Sequence, residues 1–211
     1  FAYHFTQKMH DDYPEAASLM SKGHAYDLKS NVFDRLSMIF YDEKPNDGHE
    51  YIRIFGRDGN NRTLKYIRKE YINKVSNLDK YKLLISKADG ASGHIGKPIP
   101  ARIIGKAEIV DPWVGSTETF LGIGSFETRD EAENCLKYIK TKFARTMLGV
   151  LKVTQDITPT KWKYVPLQDF TAHSDIDWSK SVAEIDRQLY RKYDLTADEI
   201  EFIETHVKEM A

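Results

Sequence analysis

Three groups of residues carry side chains that could do chemistry. GASGHIGKP, from Gly90 to Pro98, suggests a phosphate-binding loop, which needs G-x-x-x-x-G-K-[ST] for an amide cradle and a metal-binding hydroxyl. It departs from that pattern twice: Ala91 stands five before Gly96, and Pro98 follows Lys97 where the hydroxyl belongs. Asp34 with the triplet Asp42, Glu43 and Lys44 has the residue types of a metal-dependent nuclease, in which carboxylates hold Mg²⁺ and a lysine aids the attacking water. Pro45, Asn46, Asp47 and Gly48 come directly after, which is turn chemistry. His10 with Asp11 and Asp12, and His173 with Asp175 and Asp177, read as solvated loop residues. No G-x-G-x-x-G opens a helix, and the Asn/Asp-Pro-Pro-aromatic motif that holds a flipped adenine in amino-methyltransferases is absent. The chain alone is therefore expected to have no catalytic residue, metal or cofactor.

Residues suited to contact rather than catalysis are more numerous. Arg57, Asn60, Asn61 and Arg62 cluster around Asp58 and Gly59, and such side chains read base edges, Arg bidentate to guanine and Asn bidentate to adenine. The glycine-rich stretch adds Ser92 and His94 as base-reading candidates, flanked by Lys87 and Lys97, where backbone amides and ammonium groups suit phosphates. At 100° per residue Lys137, Thr141, Arg145 and Lys152 share one helical face with Lys140 beside it, a set suited to phosphate contact. A tight turn and an ordinary solvated helix face would show the same residues.

The elements that must position them follow from periodicity. Tyr51 to Gly56 and Arg62 to Ile67 alternate as strands about RDGNN, which predicts a β-hairpin. Tyr81 to Lys87, Arg102 to Val110 and Glu118 to Ile123 are further strand candidates, and Asn31 to Tyr41 fits a strand or a short helix. Thr128 with Glu131 makes a capping box, and Ala132, Leu136, Ile139, Phe143, Met147 and Val150 follow at helical spacing, so one long amphipathic helix is expected. Trp162, Tyr164 and a strand VPLQDF would anchor it. Ser181 with Glu184 and Thr196 with Glu199 open two further helices, predicting a C-terminal helical hairpin. The expected class is α+β: an antiparallel or mixed sheet, one principal helix and the hairpin. Residues 1–50 read as a lead-in or linker segment packing on the domain, 51–170 as the main domain and 171–211 as a C-terminal helical extension.

Composition sets bounds. The 211 residues are 41% hydrophobic, enough for a packed core, and no apolar run approaches the roughly 20 residues that span a bilayer. Phe1 and the polar stretch after it suggest a segment of a longer chain without a leader, acting in the cytoplasm. The single cysteine, Cys135, reads as a core thiol. The net charge of −1 hides polarity along the chain: residues 51–110 carry +8 and residues 137–164 carry +6, while the remaining stretches are acidic. That asymmetry suits a protein with one face toward nucleic acid.

The words KYIKTKFAR, VPLQDFT and DIDWSKSVAEIDRQLYRKYDLTADEIEFIE, with YIRIFGR, KYKLLISKADGASG and ETFLGIGSF, form an ordered set from about Tyr51 onward. This set resembles the C-terminal target-recognition region of bacterial restriction-modification proteins in which an adenine methyltransferase is fused to an endonuclease, the type with a TaqI-like specificity domain. The resemblance implies sequence-specific recognition of double-stranded DNA, with the methyltransferase/endonuclease part of the same parent polypeptide as partner. It further implies that S-adenosylmethionine and Mg²⁺ serve those catalytic domains and not this chain. A protein-interaction module and a small metal-dependent nuclease are the other function classes that the residues admit.

Overall fold

The computed structural model describes residues 2–88, 95, 99–150 and 156–210, so Ser92, His94, Lys97 and Lys152 lie outside the described residues. In chain order come the helices α1 (Gln7–Asp12), α2 (Ala16–Leu19) and α3 (Val32–Arg35) and the strands β1 (Tyr51–Asp58), β2 (Asn61–Arg68), β3 (Tyr81–Ser86), β4 (Ala107–Val110), β5 (Val114–Ser116) and β6 (Phe120–Phe126). The helices α4 (Arg129–Lys140), α5 (Lys142–Gly149), α6 (Pro159–Trp162), α7 (Val182–Lys192) and α8 (Ala197–His206) follow. One sheet has the order β2–β1–β5 and a second the order β4–β3–β6. In the first, β1 pairs antiparallel with β2 and parallel with β5, so the class is α+β with a mixed sheet. Among the described residues no helix is long and apolar enough to cross a membrane.

The chain divides into two compact units, Phe1–Leu84 with Val110–Ser125, and Ile85–Ile109 with Phe126–Ala211. In the first unit the expected lead-in is core. Phe5, Met9, Leu28, Val32, Phe33, Leu36 and Ile39 are buried and pack with Ile52, Ile54 and Ile67 of the hairpin. Helices of four to six residues are too short to print a helical period, which is why this segment looks irregular in sequence. Gly56 is required here: a β-carbon on it would stand 2.6 Å from the Phe33 ring.

Lys82, in β3, is fully buried, and its ammonium donates to the Lys80 carbonyl at 2.8 Å. Burial pulls its pKa down from 10.5 to about 8, against the pull of Asp79 and Asp111. Relative to the unfolded chain, the folded state therefore disfavours the charged form. Below pH 8 both states carry the proton and the fold bears the full penalty, about 3 kcal/mol by linkage; stability then rises as pH climbs from about 8 to 10.5. Lys82→Met should raise the denaturation midpoint at pH 7 and flatten that alkaline rise. Chemical denaturation at pH 7 and pH 10 checks both, and an unchanged pH profile would refute the account.

In the second unit the single long helix expected from Thr128 onward is two. Thr141 has extended backbone (φ −60°, ψ 147°) and is at once the C-cap of α4 and the N-cap of α5, its hydroxyl donating to the Tyr138 carbonyl and accepting from Ala144 N–H. Both sides of the break are held. Asp186, from α7, accepts from Lys142 N–H and Phe143 N–H at 2.9 Å each, closing the first turn of α5. Arg145 donates from Nε and Nη2 to the Lys140 carbonyl, from Nε also to that of Thr141, and from Nη1 to that of Arg102. Burial pushes the Asp186 carboxyl up to about 6, opposed by its two backbone donors, and pulls the Arg145 guanidinium down to about 10.

The anchor of α4 lies in VPLQDF as expected, but this segment is not a strand, and Tyr164 is 60% exposed and Leu167 91% exposed. Phe170, its last residue, does the anchoring: its ring lies 5.8 Å from Tyr138, 5.8 Å from Phe126 and 5.4 Å from Trp178. Capping boxes at Ser181 and Thr196 start α7 and α8 as read from sequence. Ile185, Leu189, Tyr190, Ile203 and Val207 are buried, and Lys142 pairs with Glu204, so the tail is part of this unit's own core. Cys135 is a buried core thiol, its pKa pushed up to about 12 by burial, which leaves it inert.

Candidate nucleic-acid interface

The β1–β2 hairpin collects the exposed basic and amide groups of the first unit. Its register runs without a bulge from Tyr51↔Arg68 to Asp58↔Asn61, leaving Gly59 and Asn60 as a two-residue turn. Gly59 takes φ +57°, as the first position of a type II′ turn requires. The turn is shorter than the five-residue RDGNN loop expected, because Arg57, Asp58, Asn61 and Arg62 are themselves strand residues. Ladder bonds therefore fix their side-chain directions, which a loop would not do.

Partners within one rung share a face of the sheet. Ile52, Ile54 and Ile67 turn to the main core, while Phe55 and Leu64 belong to a second cluster with Leu84, Val110, Val114 and Phe120. Arg57 and Arg62 form the next rung on the same face as Phe55 and Leu64, two arginines at directly opposite positions of the ladder. Such a pair costs about 0.2–1 kcal/mol when nothing compensates it. Arg62 is set over the Phe120 ring, 5.5 Å from its centre. On the next rung Asp58 is ion-paired to Lys65 at 3.0 Å, and Lys65 also holds Asp42 at 3.0 Å, so this one ammonium is shared between two carboxylates. Among the described residues the side chains of Arg57, Asn60 and Asn61 make no hydrogen bond or ion pair, and all three are exposed.

The other candidates divide. Lys87 is exposed at the end of β3, and its carbonyl accepts from Ile157 N–H. Lys137 is half-buried with its ammonium on the Trp178 carbonyl at 2.6 Å, and Lys140 is half-buried with its carbonyl taken by Arg145. Thr141 and Arg145 correct the expectation of a phosphate-facing helix: they are 0% and 1% exposed. The break at Thr141 shifts the phase of everything after it, turning Arg145 inward, while Val150, expected on the apolar stripe, is 63% exposed. The four described helix candidates, Lys137, Lys140, Thr141 and Arg145, thus do not share one open face. Phe120, the shelf under Arg62, was missed; nothing local in the sequence marks it.

Several of the carboxylates that suggested metal chemistry are engaged elsewhere. Asp42 pairs with Lys65, Asp12 bonds to Lys8 and Tyr71, Asp175 to Lys192 and Asp177 to Ser179. Among the described residues no group of three or more His, Cys, Asp or Glu side chains is placed to hold a metal ion. Set against models of protein families, curated proteins and solved structures, the chain matches none of them.

Proposed function

We propose that this chain is a double-stranded DNA recognition module that positions a methyltransferase/endonuclease part of a restriction-modification enzyme on its target in the bacterial cytoplasm. The reading rests first on the resemblance to TaqI-like target-recognition domains. In the structure one observation carries it: Arg57 and Arg62 stand opposite each other at the rigid, exposed end of a hairpin whose acidic neighbour is already paired. Two arginines on one face of the ladder attract an anion, and a phosphodiester or a guanine edge supplies the acceptors. Asn60 and Asn61, beside them, add paired donors and acceptors of the kind that read adenine. S-adenosylmethionine and Mg²⁺ would act on the catalytic part and not here.

The chain should bind duplex DNA weakly at low salt, and log affinity should fall against log salt concentration with a slope of about −0.9 for each phosphate contacted. Titration of a labelled duplex from low to physiological ionic strength measures this. A flat response, or no binding at low salt, would refute the DNA reading.

A further inference from the structure

Between α7 and α8 lies an open groove of about 730 Å³. Ala183, Tyr190, Leu195 and Ile200 give it an apolar lining, and Arg187 and Arg191 stand exposed beside them, one turn apart on α7. Like charges at that spacing repel, and among the described residues neither guanidinium makes a hydrogen bond or an ion pair. Two carboxylates of the same hairpin that feel the charge of Arg187 are committed elsewhere: Glu184 closes the Ser181 cap, and Glu204 is held by Tyr190 and Lys142. Asp194 is the other carboxylate of the lining, so the groove keeps an excess of positive charge.

The outer side of α8 carries the complementary set. Asp198, Glu201 and Phe202, three and four residues apart, are all exposed. Among the described residues neither of these carboxylates makes a hydrogen bond or an ion pair. Phe202, 44% exposed, is steadied by stacking on His206, with ring centres 4.0 Å apart.

We propose that the α7–α8 hairpin is a self-association surface: the groove of one copy receives α8 of a second copy, with Phe202 against the apolar lining and Asp198 and Glu201 against Arg187 and Arg191. Because the giving and receiving surfaces lie on adjacent helices, a two-fold axis lets each copy do both, and the contact closes as a dimer. A foreign acidic helix would fill the groove but leave Asp198, Glu201 and Phe202 uncovered, whereas a second copy covers both surfaces at once. The net charge of −1 leaves little overall repulsion between copies. The dimer goes beyond the DNA reading and does not depend on it.

Sedimentation equilibrium of the full 211-residue chain at low salt and without DNA, from micromolar to millimolar concentration, measures this. The wild type should pass from monomer to dimer. Arg187→Glu with Arg191→Glu, and separately Asp198→Lys with Glu201→Lys, should each weaken association at least about ten-fold, because like charges then meet across the contact. An equimolar mixture of these two variants should associate as the wild type does, since each supplies the charge that the other lacks. Phe202→Ala, which alters no charge, should also weaken association. A wild type that stays monomeric at millimolar concentration overturns the proposal. So does undiminished dimerisation in any of the three variants, or a monomeric mixture whose two components circular dichroism shows to be folded.

Discussion

Arg145→Ala should lower the unfolding free energy by about 3–5 kcal/mol, the range for removing one member of a buried charged network. Four donor bonds go at once; the Lys140 carbonyl loses both of its bonds from the guanidinium, while those of Thr141 and Arg102 keep one backbone donor each, Arg145 N–H and Ile104 N–H. Asp186 also loses the nearby positive charge that opposes the rise in its pKa. Arg145→Lys should recover little, since one ammonium cannot reproduce the planar fork that spans two carbonyls beside the break and a third from residue 102. Thermal unfolding should show a drop of about 10 °C for Arg145→Ala and almost none for Lys140→Ala. A loss below about 1 kcal/mol would mean that the break between α4 and α5 is held by Thr141 and Asp186 alone.

Replacing Arg57 and Arg62 together by alanine should have the opposite signature: little effect on stability and a large one on DNA. Removing the like-charged rung relieves repulsion, while Arg62 gives up its position over Phe120, so the two effects on the fold nearly cancel. Duplex affinity at low salt should fall roughly a hundred-fold, at about 1–3 kcal/mol for each arginine that reads a base. Where an arginine meets phosphate instead, the slope of log affinity against log salt should shrink by about 1 for each phosphate no longer held. In a full-length enzyme Asn61→Ala should relax site preference at one position and leave non-specific binding intact. Unchanged duplex affinity in the double alanine variant would remove the hairpin from the interface.

The parts of the fold that were legible in sequence share one property: their determinants are local. Asn and Gly between two alternating stretches specify the hairpin, and Ser181/Glu184 and Thr196/Glu199 specify the starts of α7 and α8, each within four residues. Thr141 was not legible as a break because a threonine inside an amphipathic pattern is compatible with continued helix. The bonds that decide against it come from Asp186, 44 and 43 residues away from the amides it holds. The phosphate-facing role given to Arg145 failed for that reason, and the anchoring role given to Tyr164 failed because Phe170 and Trp178 outcompete it for Tyr138. Of the site, Arg57, Asn60, Asn61 and Arg62 could be found from residue types around a turn, but the pairing of the two arginines across one rung depends on register, which a five-residue loop would have changed.

The chain passes between its two units three times, after Leu84, after Ile109 and after Ser125. During synthesis, which adds residues from the N-terminus at about 5–20 per second, the hairpin emerges early, yet β5, its parallel neighbour on the far side of β1, is made some fifty residues after β2. Phe120, the shelf for Arg62, is later still. A nascent chain released before residue 114 would display the arginine pair on a sheet whose β1 edge is open, a surface prone to pair with other strands. Maturation of the basic hairpin is thus timed by residues of the second pass, and a stalled ribosome or a nonsense codon there would yield a fragment that tends to aggregate.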